Sequence, residues 1–219
     1  MLLHGYGASK ECFVRQINYF SRFYRVTAFD FPGFGASDPL PAAWDVGDYA
    51  AFTREKMEEW GLVRPYILAH SFGARVAVKM AASEDCAEKL VLTGAAGVGA
   101  RRGAAYRFKV CAYRWTKKFF PAFAERHFGS AEYRTLSPLM KESYKKIVGE
   151  DLKETAKKIR VPALLVYGKK DDVTPVRAGK IYLSSIADSR LVVMKGCGHF
   201  AFIDDALSFN EITEEFLEN

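Results

Sequence analysis

What the chain has little of narrows its class first. Its 4 cysteines, Cys12, Cys86, Cys111 and Cys197, are scattered and form no C-x-x-C pair. That excludes a disulfide scaffold and a cysteine-held zinc. With 8 prolines and 17 glycines in 219 residues, collagen-like and low-complexity chains are excluded, and 49% hydrophobic against 26% charged residues excludes a disordered one. No apolar run approaches the ~20 residues of a membrane-spanning helix. Residues 1–5 carry neither a basic segment nor a long apolar stretch, so no secretory signal is expected. Together with the isolated cysteines, this makes a reducing, cytoplasmic setting the expectation. The length fits one compact domain carrying an insertion.

Charge of one sign is scarce only locally. The chain carries 32 Lys and Arg against 26 Asp and Glu, or +6. Residues 98–160 hold 16 basic against 6 acidic residues, or +10, which leaves 16 against 20, or −4, for the remainder. The basic pairs, at residues 101–102, 117–118, 145–146 and 157–158, read as the solvated face of helices. They lie in no recognisable nucleic-acid-binding motif, and no nucleic-acid partner is expected.

Hydrophobic patterning alternates between two periods. Residues 25–31, 66–69, 89–93, 163–167 and 190–194 are short β-branched or apolar runs bounded by turn signals and read as buried strands. Between and after them, residues 9–24, 45–60, 73–82, 176–186 and 206–217 read as helices, the first with Ser9 as its N-cap. Short strands alternating with helices define an α/β domain, with a mostly parallel sheet covered on both faces. The alternation fails once. Residues 98–160 contain helix-like stretches but no convincing strand, which predicts a helical lid at the carboxyl edge of the sheet. The expected division is therefore a core of residues 1–97 and 161–219 and a lid of residues 98–160.

The chemistry-bearing residues fall at the ends of the strands. Ser71, in A-H-S-F-G (residues 69–73), stands where a strand gives way to a helix, with the small residues Ala69 and Gly73 two places on either side. A tight turn of this kind projects a nucleophile clear of the backbone and tolerates only small flanking residues. Taken alone, such a serine reads as an ordinary helix N-cap; its partners change the reading. A serine hydroxyl needs a general base, and the base needs a group that fixes its tautomer. His199 follows the last strand in G-C-G-H-F (residues 196–200), and Asp171 and Asp172 follow the preceding strand in G-K-K-D-D-V-T-P (residues 168–175). All leave carboxyl ends of strands, where open α/β sheets assemble their sites. Cys197, two residues before His199, reads as a bystander thiol, since loop neighbours rarely present both groups to one reacting atom.

Two further motifs, L-L-H-G-Y-G (residues 2–7) and F-D-F-P-G-F-G-A-S (residues 29–37), join these three, and in this order the five resemble the α/β-hydrolase superfamily, in its lidded branch of serine esterases, lipases and carbon–carbon bond hydrolases. The resemblance runs nearly end to end and implies Ser71 as nucleophile, His199 as base and Asp171, rather than Asp172, as the acid. It implies an oxyanion hole from the backbone N–H groups of Tyr6 and Phe72, with structural roles for His4, Asp30 and Asp38. His70 is expected to line the pocket, and Arg101 and Arg102 to stand near its mouth, where they could draw carboxylate-bearing substrates. The implied reaction is hydrolysis of a small-molecule carboxylic ester or related acyl compound, with no metal or organic cofactor. A thioesterase, a β-diketone hydrolase and a non-catalytic binding protein of the same fold remain alternatives.

The resemblance carries one more expectation. In such proteins, two strands and most of a third precede the oxyanion loop, which here begins at His4. Something on the order of 20 to 30 residues is therefore expected ahead of it. Residues 1–3 would be the remnant of a central strand, lying between those of residues 25–31 and 66–69.

Overall fold

The computed structural model describes residues 1–83, 85–99 and 136–219. Among these described residues, five parallel strands lie in the order of the chain: β1 (Leu2–Leu3), β2 (Ile67–His70), β3 (Leu90–Thr93), β4 (Ala163–Gly168) and β5 (Ser189–Met194). In-register pairs such as Leu2 with Leu68, Ala69 with Leu92 and Thr93 with Val166 align their carboxyl ends. All five strands fall within residues 1–97 and 161–219.

The strands are short and their side chains alternate between two cores. Leu3, Ile67, Ala69, Leu90, Leu92 and Leu165 face one core, which is closed by α2 (Val46–Glu59), α3 (Phe72–Ser83) and α6 (Val176–Ser185). Leu2, Leu68, Val91, Leu164 and Val166 face the other, closed by α1 (Val14–Phe20), α7 (Ala201–Asp204) and α8 (Ala206–Glu218). β2, β3 and β4 are buried on both faces, which explains why they read as continuous apolar runs, whereas β5 at the edge is only partly buried. Each such Leu or Ile contributes about 1.5–3 kcal/mol by leaving water.

Local signals set the helix ends. Asp45 caps α2 through a reciprocal box: its Oδ1 accepts from Gly47 N (2.7 Å) and Asp48 N (3.1 Å), while its own N–H donates to Asp48 Oδ2 at 2.8 Å. Ser137 caps α4 (Pro138–Gly149), which has Pro138 in its first turn. A one-turn helix, α5 (Lys153–Ala156), leads back to the sheet. Helix α3 is tied to this segment by Arg75. That side chain is 8% exposed and donates to the carbonyls of Ile147 (2.8 Å) and Glu150 (3.0 Å) at the end of α4, where a cation suits the helix dipole.

Two expectations change. Residues 25–31 make only one bridge, Ala28 to Leu2, supported by Leu2 N donating to Thr27 O at 2.9 Å. Leu3 pairs with Ala69 on the β2 side but makes no bridge on this one, so no ladder forms. The helix expected over residues 9–24 is a 3₁₀ turn (Lys10–Phe13) followed by α1, and the Ser9 side chain makes no capping bond. β1 does lie between Ala28 and β2, and the Met1 amino group donates to Tyr66 O at 2.6 Å. Of the expected lid, residues 136–160 form α4 and α5; residues 100–135 lie outside the described residues.

Candidate active site

β2 ends at His70 and α3 begins at Phe72, which leaves Ser71 alone to turn the chain. It does so at φ +50°, a left-handed conformation that costs a non-glycine residue on the order of 1 kcal/mol or more. The turn is held by Ser71 N donating to Thr93 O (3.1 Å) and Ala96 N donating to Ser71 O (3.3 Å). Gly73 is required sterically, because a Cβ there would stand 2.2 Å from Leu3 O. The demand for a small residue therefore comes from β1, which presses on the first turn of α3. Ser71 remains partly exposed, and Phe72 opens its helix, so its N–H has no intrahelical partner.

His199 and Asp171 are brought together. His199 Nδ1 lies 2.8 Å from Asp171 Oδ2, and the carboxylate is buried at 5% exposure. Asp172 is exposed, which separates the two acid candidates. Asp171 is held by its own loop: Oδ1 accepts from the N–H groups of Val173 (2.9 Å) and Thr174 (2.8 Å), and Oδ2 lies 2.8 Å from the Thr174 hydroxyl. Burial works to raise its pKa. The hydrogen bonds from His199 and Thr174 outweigh that, and the net shift is downward. The ionised acid therefore demands a proton on Nδ1 and leaves Nε2 as the basic nitrogen.

The loop that carries His199 is packed closely. A Cβ on Gly168 would stand 2.1 Å from Gly198 O, and one on Gly94 would stand 3.1 Å from His199 Nδ1. Asp204, in α7, accepts from Gly198 N at 2.7 Å. The ring of His70 lies 4.7 Å from that of His199, and its Nε2 donates to the His199 carbonyl at 3.2 Å. His70 is 1% exposed and packs among Phe200 and Phe202, behind the His199 ring rather than on an open pocket wall. Burial pushes its pKa down to about 3 and keeps it neutral.

The opposite wall belongs to residues 4–7. Phe31 N donates to His4 Nε2 (3.0 Å), so the neutral ring carries its proton on Nδ1 and donates it to Gly5 O at 2.8 Å. Burial lowers the His4 pKa, in keeping with that tautomer. The Gly5 carbonyl and Tyr6 N–H belong to one planar peptide, so fixing the carbonyl orients the amide. The Tyr6 hydroxyl donates to Met140 O (3.2 Å) on α4, and its ring packs against Phe34, Phe72 and Tyr144. Asp30 accepts from Lys10 N (2.7 Å), Lys10 Nζ (2.8 Å) and Ala36 N (2.9 Å), a loop-holding arrangement. Cys197 is buried, its thiol pKa raised by burial. Arg101, Arg102 and His127 lie outside the described residues. Among the described residues, no cluster of His, Cys, Asp or Glu could hold a metal ion.

Sequence reading missed Thr174 and Asp204. The first was findable: a carboxylate whose oxygen caps the N–H groups two and three residues on is a common turn, and Thr174 stands three after Asp171. Asp204 had no local signal, because its partner lies on another loop.

A parallel sheet with helices on both faces, a strained serine at one strand end and a His–Asp pair at the others define a hydrolase of the α/β type. Comparison with known proteins agrees: the profile of the alpha/beta hydrolase family matches residues 1–212, and the chain belongs to that family. It is 27% identical, over 90% of its length and 78% of the relative's, to a 2-hydroxy-6-oxononadienedioate/2-hydroxy-6-oxononatrienedioate hydrolase from Pseudomonas putida. It is 28% identical to a pimeloyl-[acyl-carrier protein] methyl ester esterase from Neisseria meningitidis, over 99% of this chain and 76% of that one. An esterase from Exiguobacterium antarcticum superposes with a TM-score of 0.77, covering 100% of this chain and 91% of that one; at 24% identity this likeness speaks for the fold. No helix among the described residues is long and apolar enough to cross a membrane.

Proposed function

We propose that the protein is a serine hydrolase that cleaves a small carboxylic ester or related acyl compound through Ser71, His199 and Asp171. The observation that supports the reading is the 2.8 Å contact between His199 Nδ1 and the buried Asp171 carboxylate, with the His199 loop bonded to His70, the chain neighbour of the strained Ser71. In this reading Ser71 Oγ attacks the acyl carbon as His199 Nε2 takes its proton. The C=O electron pair moves onto oxygen, and the N–H groups of Tyr6 and Phe72 stabilise the oxyanion. Collapse expels the alcohol, which takes the proton back from His199 and leaves an acyl-Ser71 ester. Water, deprotonated by the same nitrogen, reverses the steps and frees the acid. Asp171 remains ionised throughout, orienting the imidazole and stabilising its charged form. No step needs a cofactor.

A second reading, cleavage of a carbon–carbon bond next to a carbonyl in a dicarboxylate, is favoured by two observations. One relative is named as a dienedioate hydrolase, and residues 98–160 carry a charge of 16 − 6 = +10. Turnover of neutral esters, carboxylated esters, a thioester and a β-diketone at rising ionic strength tests both readings. Neutral esters turned over with no salt dependence favour the first. Carboxylated or diketone substrates preferred at low salt favour the second, with Arg101 and Arg102 as the expected anchors. Failure of every substrate in a folded protein would contradict both and leave a binding protein.

A further inference from the structure

We propose that His70 is a positioning residue that sets the spacing between the oxyanion loop and the loop carrying His199. The inference rests on the serine-hydrolase reading above. Side chains alternate along β2, so Ile67 and Ala69 face α3 while Leu68 and His70 face α7. The residue before the nucleophile is thus directed beneath the base by the pleat of the sheet itself. Its ring has two neighbours of consequence. On one side Nε2 donates to the His199 carbonyl at 3.2 Å. On the other side Nδ1 would lie 2.7 Å from a Cβ placed on Gly5, so the oxyanion loop rests against the ring.

The tautomer follows from the partners. A carbonyl only accepts, so the proton is on Nε2 and Nδ1 is bare; among the described residues Nδ1 has no hydrogen-bond partner. An apolar side chain of similar size could fill this space but would leave the His199 carbonyl without this donor. The base needs such restraint, because it lies on a loop with Gly196 at φ +89° and Gly198 beside it. His70 is one of several tethers on that loop, beside Asp171 at the ring, Lys170 N at Cys197 O and Asp204 at Gly198 N. It is the one that also touches the oxyanion side.

The test compares His70→Gln, which keeps a donor, with His70→Met, close in volume and without one, alongside His70→Phe. Turnover is normalised to the fraction of sites labelled by a fluorophosphonate. The downfield proton resonance of His199 Nδ1–H is recorded on the substrate-free proteins. His70→Met and His70→Phe should lose kcat by on the order of tenfold to a hundredfold per labelled site with KM little changed, and weaken or shift the resonance. His70→Gln should recover most of both. A His70→Met protein with full turnover per site and an unchanged resonance would overturn the inference. Should the unaltered protein neither label nor turn over, the hydrolase reading falls by itself. The resonance, which needs no substrate, still decides whether His70 holds the base.

Discussion

The two ends of the sheet are built differently. At the carboxyl end, buried polar groups are packed together: Asp171 takes four hydrogen bonds, from His199, Val173, Thr174 N and Thr174 Oγ1, and both nitrogens of His4 are used, while His70 Nδ1 and the Thr93 hydroxyl have no partner among the described residues. At the amino end, a hollow of about 320 Å³ opens beside the two-residue β1, lined by Leu2, Val26, Tyr66, Leu68 and Leu217 among others. Thr213, on the α8 side of that hollow, has a buried hydroxyl with no partner among the described residues. The paired chemistry-bearing groups thus gather at the end away from that hollow. In an open α/β sheet the loops at the carboxyl ends of the strands carry the site, and here the hollow at the other end holds none of the candidate residues.

If the carboxyl end is a preorganised device, damage there should cost activity out of proportion to stability, with the reverse at the amino end. The largest effect is expected for Asp171→Asn, which can no longer demand the Nδ1 proton: kcat should fall on the order of 10³- to 10⁴-fold in steady-state assays. A loss under tenfold would remove Asp171 from the account. Thr174→Val deletes a hydroxyl lying 2.9 Å from Gly94 O and 2.8 Å from Asp171 Oδ2. We expect about a tenfold loss of kcat and about 1–3 kcal/mol of stability in urea titration.

Acid should attack the same end. His70 is neutral in the fold, its pKa pushed from the ordinary 6.5 down to about 3 by burial. Between those values the unfolded chain binds the extra proton, so its contribution is full above pH 6.5 and is lost as pH falls toward 3. At pH 5 the loss is about 2 kcal/mol from this residue, and His4 adds to it in the same direction. Urea midpoints measured from pH 7.5 to 5 should therefore fall, and fall less steeply in His70→Gln. Parallel slopes would show that His70 does not titrate this way. The smallest effect belongs to the amino end. Thr213→Val replaces an unpaired buried hydroxyl by a methyl of the same shape and should raise stability by about 1 kcal/mol with kcat unchanged.

The elements legible in the sequence were those specified by their own residues. The helical period of residues 45–60, the apolar runs of β3, β4 and β5, and the small-residue requirement at Gly73 each leave a local mark. Residues 25–31 carry the mark of a strand, yet pair only once, because strand formation depends on the partner as much as on propensity. For the candidate site, Ser71, Asp171 and His199 stand out by motif and order. The groups that hold them do not: His70 acts through a backbone carbonyl 129 residues away, and Asp204 through a backbone N–H on a neighbouring loop. Such contacts are made by chain folding rather than by spacing, and backbone partners leave no residue signature.

The central claim is that Ser71 is an activated nucleophile. Intact-mass spectrometry after exposure to a fluorophosphonate tests it most directly. The account predicts one adduct per chain, mapped to Ser71 and absent from a folded Ser71→Ala protein. A folded wild-type chain that takes no adduct, or a Ser71→Ala protein that is labelled equally, would contradict it.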